Sequence, residues 1–360
     1  MTAGVPGDEL ATRFTELAGA RLPVVQTGMG WVSGVSLTAA TSNAGGFGII
    51  AATTMDADQL AIALLDLRAR TDAPFGVNFR ADQPDLEQRL EPVLAAGVRL
   101  ISFAGPPSRK VVDRVHAAGL LVMPTVGARR HAEKMRDLGV DAVIAQGSEG
   151  GGHTGQVATS VLLPEVVDAV GDDIPVLAAG GFRDGRGLAA ALAVGADGIA
   201  MGTRFLLTAE SRVPDAVKHQ YLAASTTDTV VTTSIDGMPQ RVIRTDFVES
   251  VSASGLLRRS RSALSATRSL RHATGASWLD LTREGLAMKR QQDRSWLQTL
   301  LAANAPMLIR AALVEGRTDA GVLPTGQIVG AIDDLPSVAV LLDEIERDAL
   351  RALSPRERAR

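Results

Sequence analysis

Cysteine is absent from the 360-residue chain. Its absence excludes disulfide bonds, thiolate metal sites and cysteine nucleophiles, and it agrees with a reducing compartment, so we expect a cytoplasmic protein. Long apolar runs are also missing, because the most apolar stretch, GGFGIIAATTM, is too short and too rich in glycine to cross a bilayer. The net charge is only −3, so we expect neither a membrane nor a nucleic-acid partner.

Several functional patterns are missing as well. The N-terminal stretch MTAGVPGDELATRF has acidic residues and no apolar core, so we expect no signal peptide. No spacing of histidine and acidic residues suggests a metal site, and no G-x-S-x-G nucleophile motif is present. What the chain does have is 46% apolar residues, which is enough for a large core.

Eight short apolar runs recur along the chain, each separated from the next by a turn and an amphipathic segment. Uninterrupted runs of this kind are typical of parallel strands buried on both faces. The runs are PVVQTG, FGIIAA, FGVNF, LISFA, LVMPTV, AVIAQG, PVLAAGG and GIAMGTRFL, starting at Pro23, Phe47, Phe75, Leu100, Leu121, Ala142, Pro175 and Gly198.

The segments between these runs predict helices, such as DADQLAIALLDLRART and SRKVVDRVHAAG. A glycine in the left-handed conformation is expected to end five of them, at Gly97, Gly119, Gly139, Gly171 and Gly195. Eight strand–helix units in about 200 residues predict an α/β fold, the (β/α)8 TIM barrel. The alternative is a doubly wound sheet, which usually has five or six strands.

The strand–helix rhythm breaks after Thr208. We therefore predict three parts: a barrel over residues 1–217, a smaller, mostly helical substrate or lid domain over 218–317, and a return to the barrel with a C-terminal helix over 318–360. The second part carries an arginine-rich stretch, which is either a solvated helical face or an arm for a phosphate-bearing substrate. Its arginines are Arg258, Arg259, Arg261, Arg268 and Arg271.

Polar residues and glycines gather near the ends of the predicted strands, where the loops of a barrel converge on one mouth. Backbone N–H groups of glycines after the seventh and eighth runs can approach an anion closely, which favours a phosphate site there. One such cradle suits a mononucleotide. The residues are Met29, Gly30, Asn78, Thr125, Gln146, Gly180 and Gly181, with Gly202 and Thr203 placed in the eighth strand.

The stretch AQGSEGGGHTG places His153 among glycines in a loop after the sixth run. Its glycines satisfy G-x-G-x-x-G, but the following QVATSVLLP does not look like a helix start, so a dinucleotide loop is disfavoured. An imidazole in such a loop could exchange a proton near neutral pH over a planar ligand. The remaining histidines are expected at the surface: His116, His131, His219 and His272.

These motifs resemble the nitronate monooxygenase (2-nitropropane dioxygenase-like) family of FMN-dependent barrels, which includes flavin enoyl-reductases. The match is to PVVQTGMGWVSG, GVNF, AQGSEGGGHTG, PVLAAGGFRDGRG, GADGIAMGTRFL and GQIVGAI. The resemblance implies His153 as the catalytic residue. It further implies contacts to FMN from Met29, Gly30, Asn78, Gln146, Gly151, Gly180, Gly181, Met201, Gly202 and Thr203.

VPDAVKHQYL and TVVTTSIDGMPQRVIRT are similar to a branch of that family, the actinobacterial dehydrogenases of steroid C/D-ring catabolism. This similarity implies oxidation or reduction of a CH–CH bond beside a CoA thioester, with NAD(H) as co-substrate. Two other possibilities stay open: a nitronate monooxygenase that oxidises nitroalkanes with O2, and an idle flavin-binding or phosphate-sensing protein. The acyl group, the direction of the reaction and the existence of a homo-oligomer also stay open.

Overall fold

Eleven strands are present in the parts of the chain that the computed structural model describes, residues 9–253 and 296–354. They are β1 Val24–Gln26, β2 Phe47–Ala51, β3 Phe75–Arg80, β4 Leu100–Ala104, β5 Leu121–Val126, β6 Val143–Gln146, β7 Gly152–His153, β8 Val176–Ala179, β9 Gly198–Met201, β10 Thr229–Thr232 and β11 Gln240–Ile243.

Eight of these strands form a closed parallel barrel in the order β1-β2-β3-β4-β5-β6-β8-β9. The barrel closes between its last and first strands, where Val24 pairs with Ile199. All eight apolar runs of the sequence supply a barrel strand, which confirms the predicted TIM barrel and excludes the doubly wound sheet. Most barrel positions are buried because the strands face side chains inside the barrel and helices outside it.

Helices follow the barrel strands and cover them. Those that the structure describes are α1 Arg13–Ala18, α2 Val35–Asn43, α3 Ala57–Arg70, α4 Leu86–Ala95, α5 Arg109–Ala117, α6 Arg129–Asp137, α7 Thr159–Val170, α8 Gly185–Ala193, α9 Thr203–Leu206, α10 Asp215–Leu222, α11 Asp246–Ala253, α12 Trp296–Leu313 and α13 Val338–Leu353. Short 3-10 turns lie at Ala52–Thr54 and Gln327–Ala331. No described helix is both long and apolar enough to cross a membrane.

Local sequence signals account for several of the helix starts and ends. Asp56 caps α3 and Ser108 caps α5 through their side-chain oxygens, as the residue types favour. The expectation of a left-handed glycine is wrong at Gly171, which keeps right-handed helical geometry at φ −64°, because the chain turns only at the following residues, where Ile174 N donates to Val170 O. The left-handed geometry is present at Gly97, Gly119, Gly139 and Gly195.

A second, three-stranded sheet in the order β10-β11-β7 joins the segment after the barrel to the loop that follows β6. Strands β10 and β11 form an antiparallel pair, and β11 pairs with β7. At the end of the chain, α13 packs against α8 and α2, so the chain returns to the outside of the barrel. The domain boundaries at residues 217 and 317 stay predictions, and the arginine-rich stretch lies outside the described residues.

Candidate active site

One cavity of about 350 Å3 opens where the barrel strands end. Its wall combines loops after β1, β6, β8 and β9 with side chains from β3, from the second sheet and from α12. Every residue that the sequence assigned to the site lines this cavity: Met29, Gly30, Asn78, Gln146, Gly151, His153, Gly180, Gly181, Met201, Gly202 and Thr203. Their separate roles stay predictions.

The stretch around His153 is a strand rather than the free loop that its glycines suggest. In β7, His153 pairs with Gln240 and Gly152 with Arg241 of β11. The side chain of Gln146 donates to the carbonyl of His153 at 2.8 Å, which ties the strand to the end of β6. These contacts fix the backbone of His153 relative to the barrel.

The imidazole of His153 forms a short hydrogen bond with a residue that the sequence did not single out. Its Nε2 lies 2.6 Å from Oδ2 of Asp236, and the amide nitrogen of Gln240 lies 2.6 Å from the same oxygen. Asp236 is 5% exposed, whereas the side chain of His153 is 54% exposed. The pair therefore joins a buried acid to an imidazole at the surface of the cavity.

Burial by itself would raise the pKa of Asp236, since a low-dielectric setting disfavours the charged carboxylate. Hydrogen bonds to His153, to the backbone of Met238 and to Gln240 outweigh that cost and hold the pKa of Asp236 below its ordinary value. Asp236 is consequently ionised at neutral pH.

Asp236 lies in the connection of residues 233–239 that joins β10 to β11. Its Oδ1 accepts from the backbone N–H of Met238 at 3.0 Å, and Gly237 between them takes the left-handed φ of 83°. An Asp-Gly pair between two β-prone runs predicts a hairpin turn. That signal locates the turn in the sequence SIDGMPQ but does not show that the turn lies against His153.

The glycine-rich stretch is not a dinucleotide loop, although one reason for rejecting it was wrong. A helix does begin within QVATSVLLP, because α7 starts at Thr159. Its first turn is already occupied by a carboxylate: Glu149 Oε2 accepts from the backbone N and the hydroxyl of Thr159, each at 2.9 Å. A pyrophosphate would have to compete with that internal anion for the helix N-terminus.

Comparison with known proteins identifies the family. The family model described as Nitronate monooxygenase matches residues 11–91 and 85–348. The (3aS,4S,5R,7aS)-5-hydroxy-7a-methyl-1-oxo-octahydro-1H-indene-4-carboxyl-CoA dehydrogenase of Rhodococcus jostii (strain RHA1) is 54% identical over 96% of this chain and 97% of its own. The enzyme of the same name from Mycobacterium tuberculosis (strain ATCC 25618 / H37Rv) is 53% identical over the same shares.

The chain belongs to the nitronate monooxygenase family. Two solved structures share its fold: FabK from Thermotoga maritima, with a TM-score of 0.77 and 33% identity over 94% of this chain and 96% of that one, and nitroalkane oxidase from Streptomyces ansochromogenes, with a TM-score of 0.74 and 28% identity over 94% and 98%. The protein is therefore a flavin-dependent oxidoreductase.

The cavity of this nitronate monooxygenase family member fits a flavin at its glycine-lined end. Gly180 and Gly181 take φ values of 95° and 85°, so no ordinary side chain replaces them without strain. A Cβ on Gly202 would lie 3.3 Å from Sδ of Met29, so a side chain there would fill the space between two cavity walls. The sequence analysis placed Gly202 and Thr203 within the eighth barrel strand, but both residues follow that strand, β9, and Thr203 begins α9.

Two further residues line the cavity but were not predicted from the sequence. Arg80 ends β3 and is ion-paired with Asp82 at 2.8 Å, which places a cation on the wall. Trp31 has a φ of 68°, the one positive value among the described residues other than glycine, and its indole N–H donates to the carbonyl of Pro306 in α12 at 3.1 Å. Strained backbone of this kind is concentrated at functional sites. Trp31 lies within the quoted motif PVVQTGMGWVSG and Arg80 directly follows GVNF, but nothing in either motif marks these two side chains as cavity residues.

The histidines expected at the surface are exposed where the structure describes them: His116, His131 and His219. His272 lies outside the described residues. In the same parts of the chain, no cluster of three or more histidine, aspartate or glutamate side chains is arranged to hold a metal ion.

Proposed function

We propose that this protein uses FMN to desaturate, or to reduce, the CH–CH bond beside a CoA thioester in steroid ring breakdown, with NAD(H) as co-substrate. The observation that carries the proposal is His153, held by Asp236 on the wall of a cavity with a glycine-lined end. The two relatives that are 54% and 53% identical are named as dehydrogenases of one such CoA thioester. Their likeness to this chain covers 96% of it.

Specific residues would hold FMN in this proposal. The backbone around Gly180, Gly181 and Gly202 offers N–H groups to a single phosphate, and the Thr203 hydroxyl stands at the start of α9 beside them. The amide side chains of Asn78 and Gln146 line the same cavity and offer hydrogen bonds to the polar edge of the ring. One phosphate cradle favours FMN over FAD.

FMN, when bound, supplies the chemistry of taking a hydride from the β-carbon or returning it. His153 takes the proton of the α-carbon in the desaturating direction and gives it back in the reverse direction. The charge that the imidazole gains lies 2.6 Å from the carboxylate of Asp236, which stabilises it. In a second assignment that the proposal keeps open, His153 donates a hydrogen bond to the thioester oxygen instead.

The segment between residues 218 and 317 is proposed to select the substrate. It supplies Asp236 and Gln240 to the catalytic histidine and, through Ile309 and Leu313 of α12, part of the apolar cavity wall. Sequence variation in this segment would therefore change which thioester fits while the glycine-lined end still holds FMN.

A single anaerobic experiment tests the function. The purified protein is denatured to identify its flavin by mass, and the native protein is then mixed with NADH, with acyl-CoA thioesters or with nitroalkanes while the flavin absorption is followed. The proposal expects FMN, bleaching by NADH, and recovery of the colour with an enoyl-CoA thioester. If nitroalkanes bleach the flavin and neither acyl-CoA nor enoyl-CoA thioesters change its absorption, nitronate oxidation is supported instead. If no reagent bleaches the flavin, an idle flavin-binding protein is supported.

A further inference from the structure

We propose that Asp236 is a positioning residue that keeps the hydrogen of the neutral His153 imidazole on Nε2, which leaves Nδ1 as the nitrogen that exchanges the substrate proton. The inference rests on the proposed role of His153 as acid or base. It specifies which ring nitrogen of His153 exchanges the substrate proton and names Asp236 as the residue that determines this.

The assignment of the hydrogen follows from the partner of Nε2. An ionised carboxylate only accepts hydrogen bonds, so a separation of 2.6 Å between Oδ2 of Asp236 and Nε2 requires the hydrogen on Nε2. A neutral imidazole carries a single N–H, and Nδ1 then bears the free lone pair. The amide nitrogen of Gln240 also lies 3.1 Å from Nε2, but its nearer acceptor is Oδ2 of Asp236 at 2.6 Å. No described residue forms a hydrogen bond with Nδ1 of His153.

The carboxylate is itself held in place from two sides. Its Oδ1 accepts from the backbone N–H of Met238 at 3.0 Å, and its Oδ2 accepts from the amide of Gln240 at 2.6 Å. Gln240 stands opposite His153 in the register of β11 and β7, so the same backbone pairing sets the distance between acid and imidazole. Arg80, across the cavity wall, adds an electrostatic interaction that favours the ionised carboxylate.

In this arrangement the base, His153, is oriented by a second side chain, Asp236. The acid selects the tautomer of the imidazole and stabilises the imidazolium without taking the proton itself. A neutral amide in place of the acid can present its NH2 group to the ring and so favour the other tautomer. Asp236→Asn therefore changes the position of the hydrogen with nearly the same side-chain volume.

Histidine labelled with 15N tests the tautomer without any substrate. The protonated and unprotonated nitrogens of a neutral imidazole have well-separated resonances, and comparison with His153→Ala assigns those of His153. The proposal expects the hydrogen on Nε2 in the wild type and a shift toward Nδ1 in Asp236→Asn. A wild-type spectrum with the hydrogen on Nδ1 overturns the proposal, whatever the substrate is.

Single-turnover rates per bound flavin test the consequence for catalysis. Asp236→Asn is expected to retain flavin and to lose about 10²–10⁴-fold in rate, the range for a positioned acid or base, whereas Asp236→Glu recovers part of the loss. Asp228→Asn is the matched control, because Asp228 is exposed in the same segment and its carboxylate accepts the backbone N–H of Ser225, a contact that does not involve His153. A rate for Asp236→Asn within threefold of Asp228→Asn overturns the proposal.

Two other outcomes are also decisive. If Asp236→Asn fails to fold or loses flavin, the wild-type 15N spectrum and the single-turnover rate of Asp236→Glu test the proposal instead. If the wild type turns over no thioester, the proposed substrate is wrong while the tautomer measurement still holds, so the two failures are distinguishable.

Discussion

Gly28→Ala places a methyl group where two walls of the cavity meet. A Cβ on Gly28 would lie 2.2 Å from Cβ and 2.7 Å from Cγ of Asn78. Ordinary van der Waals contact begins at 3.4 Å, so the two residues must separate by more than an ångström. Rotation of the Asn78 side chain cannot relieve a contact with its Cβ, and β3 is held on both sides, where Asn78 pairs with Ala51 and Ser102. The loop after β1 must move instead.

Overpacking of this kind typically costs about 1–3 kcal/mol. The cost is expected to appear as lower stability of the apoprotein, as weaker binding of flavin, or as a division between the two. If all of it falls on binding, the dissociation constant for FMN rises roughly 5- to 150-fold. Urea unfolding of the apoprotein and titration with FMN measure the two parts separately.

Gly127→Ala is the matched control, because a Cβ there meets only the Gln146 carbonyl oxygen, at 3.9 Å. Gly127 follows β5 and is not among the residues that line the cavity, so its substitution is expected to change either quantity little. Equal losses in Gly28→Ala and Gly127→Ala, within about 0.5 kcal/mol, would mean that the loop after β1 does not pack against Asn78 as described.

Three further predictions concern the site and its support. His153→Ala should keep its flavin while the single-turnover rate falls about 10²–10⁴-fold; a rate within threefold of wild type would show that the imidazole is not catalytic. Tyr221→Phe should lower the free energy of unfolding in urea by about 1 kcal/mol, because the buried hydroxyl donates to the carbonyl of Pro324 at 2.9 Å; no change would show that this bond contributes nothing. Folding lowers the pKa of Asp236, so its ionised form stabilises the fold at pH values above its pKa in the unfolded state, which is about 3.9. That stabilisation is lost as the pH falls through the lower pKa of the folded state. The difference in unfolding free energy between wild type and Asp236→Asn should therefore become smaller over that acid pH range. A difference that does not change with pH would contradict this coupling between the protonation of Asp236 and folding.

Local sequence was sufficient for the barrel and for the strand ends that contribute to the cavity lining. A run such as FGIIAA contains no polar side chain and so predicts a strand buried on both faces, and glycines such as Gly119 end helices through their own backbone freedom. Once eight such units are counted, topology brings all the strand ends to one mouth. This is why residues as far apart as Met29 and Thr203 could be assigned to a single site from the sequence.

The surroundings of His153 were decided only by tertiary structure. A two-residue strand has no periodicity to detect, and the glycines around His153 suggested a loop where β7 in fact pairs with β11. Asp236 lies 83 positions away in the sequence, and its bond to His153 depends on the register between two distant segments. The sequence by itself determined the barrel and the mouth where the residues meet, because these follow from local burial patterns and chain topology. The hydrogen-bond partner of the His153 imidazole was determined only by packing, because long-range pairing leaves no local signal in either segment.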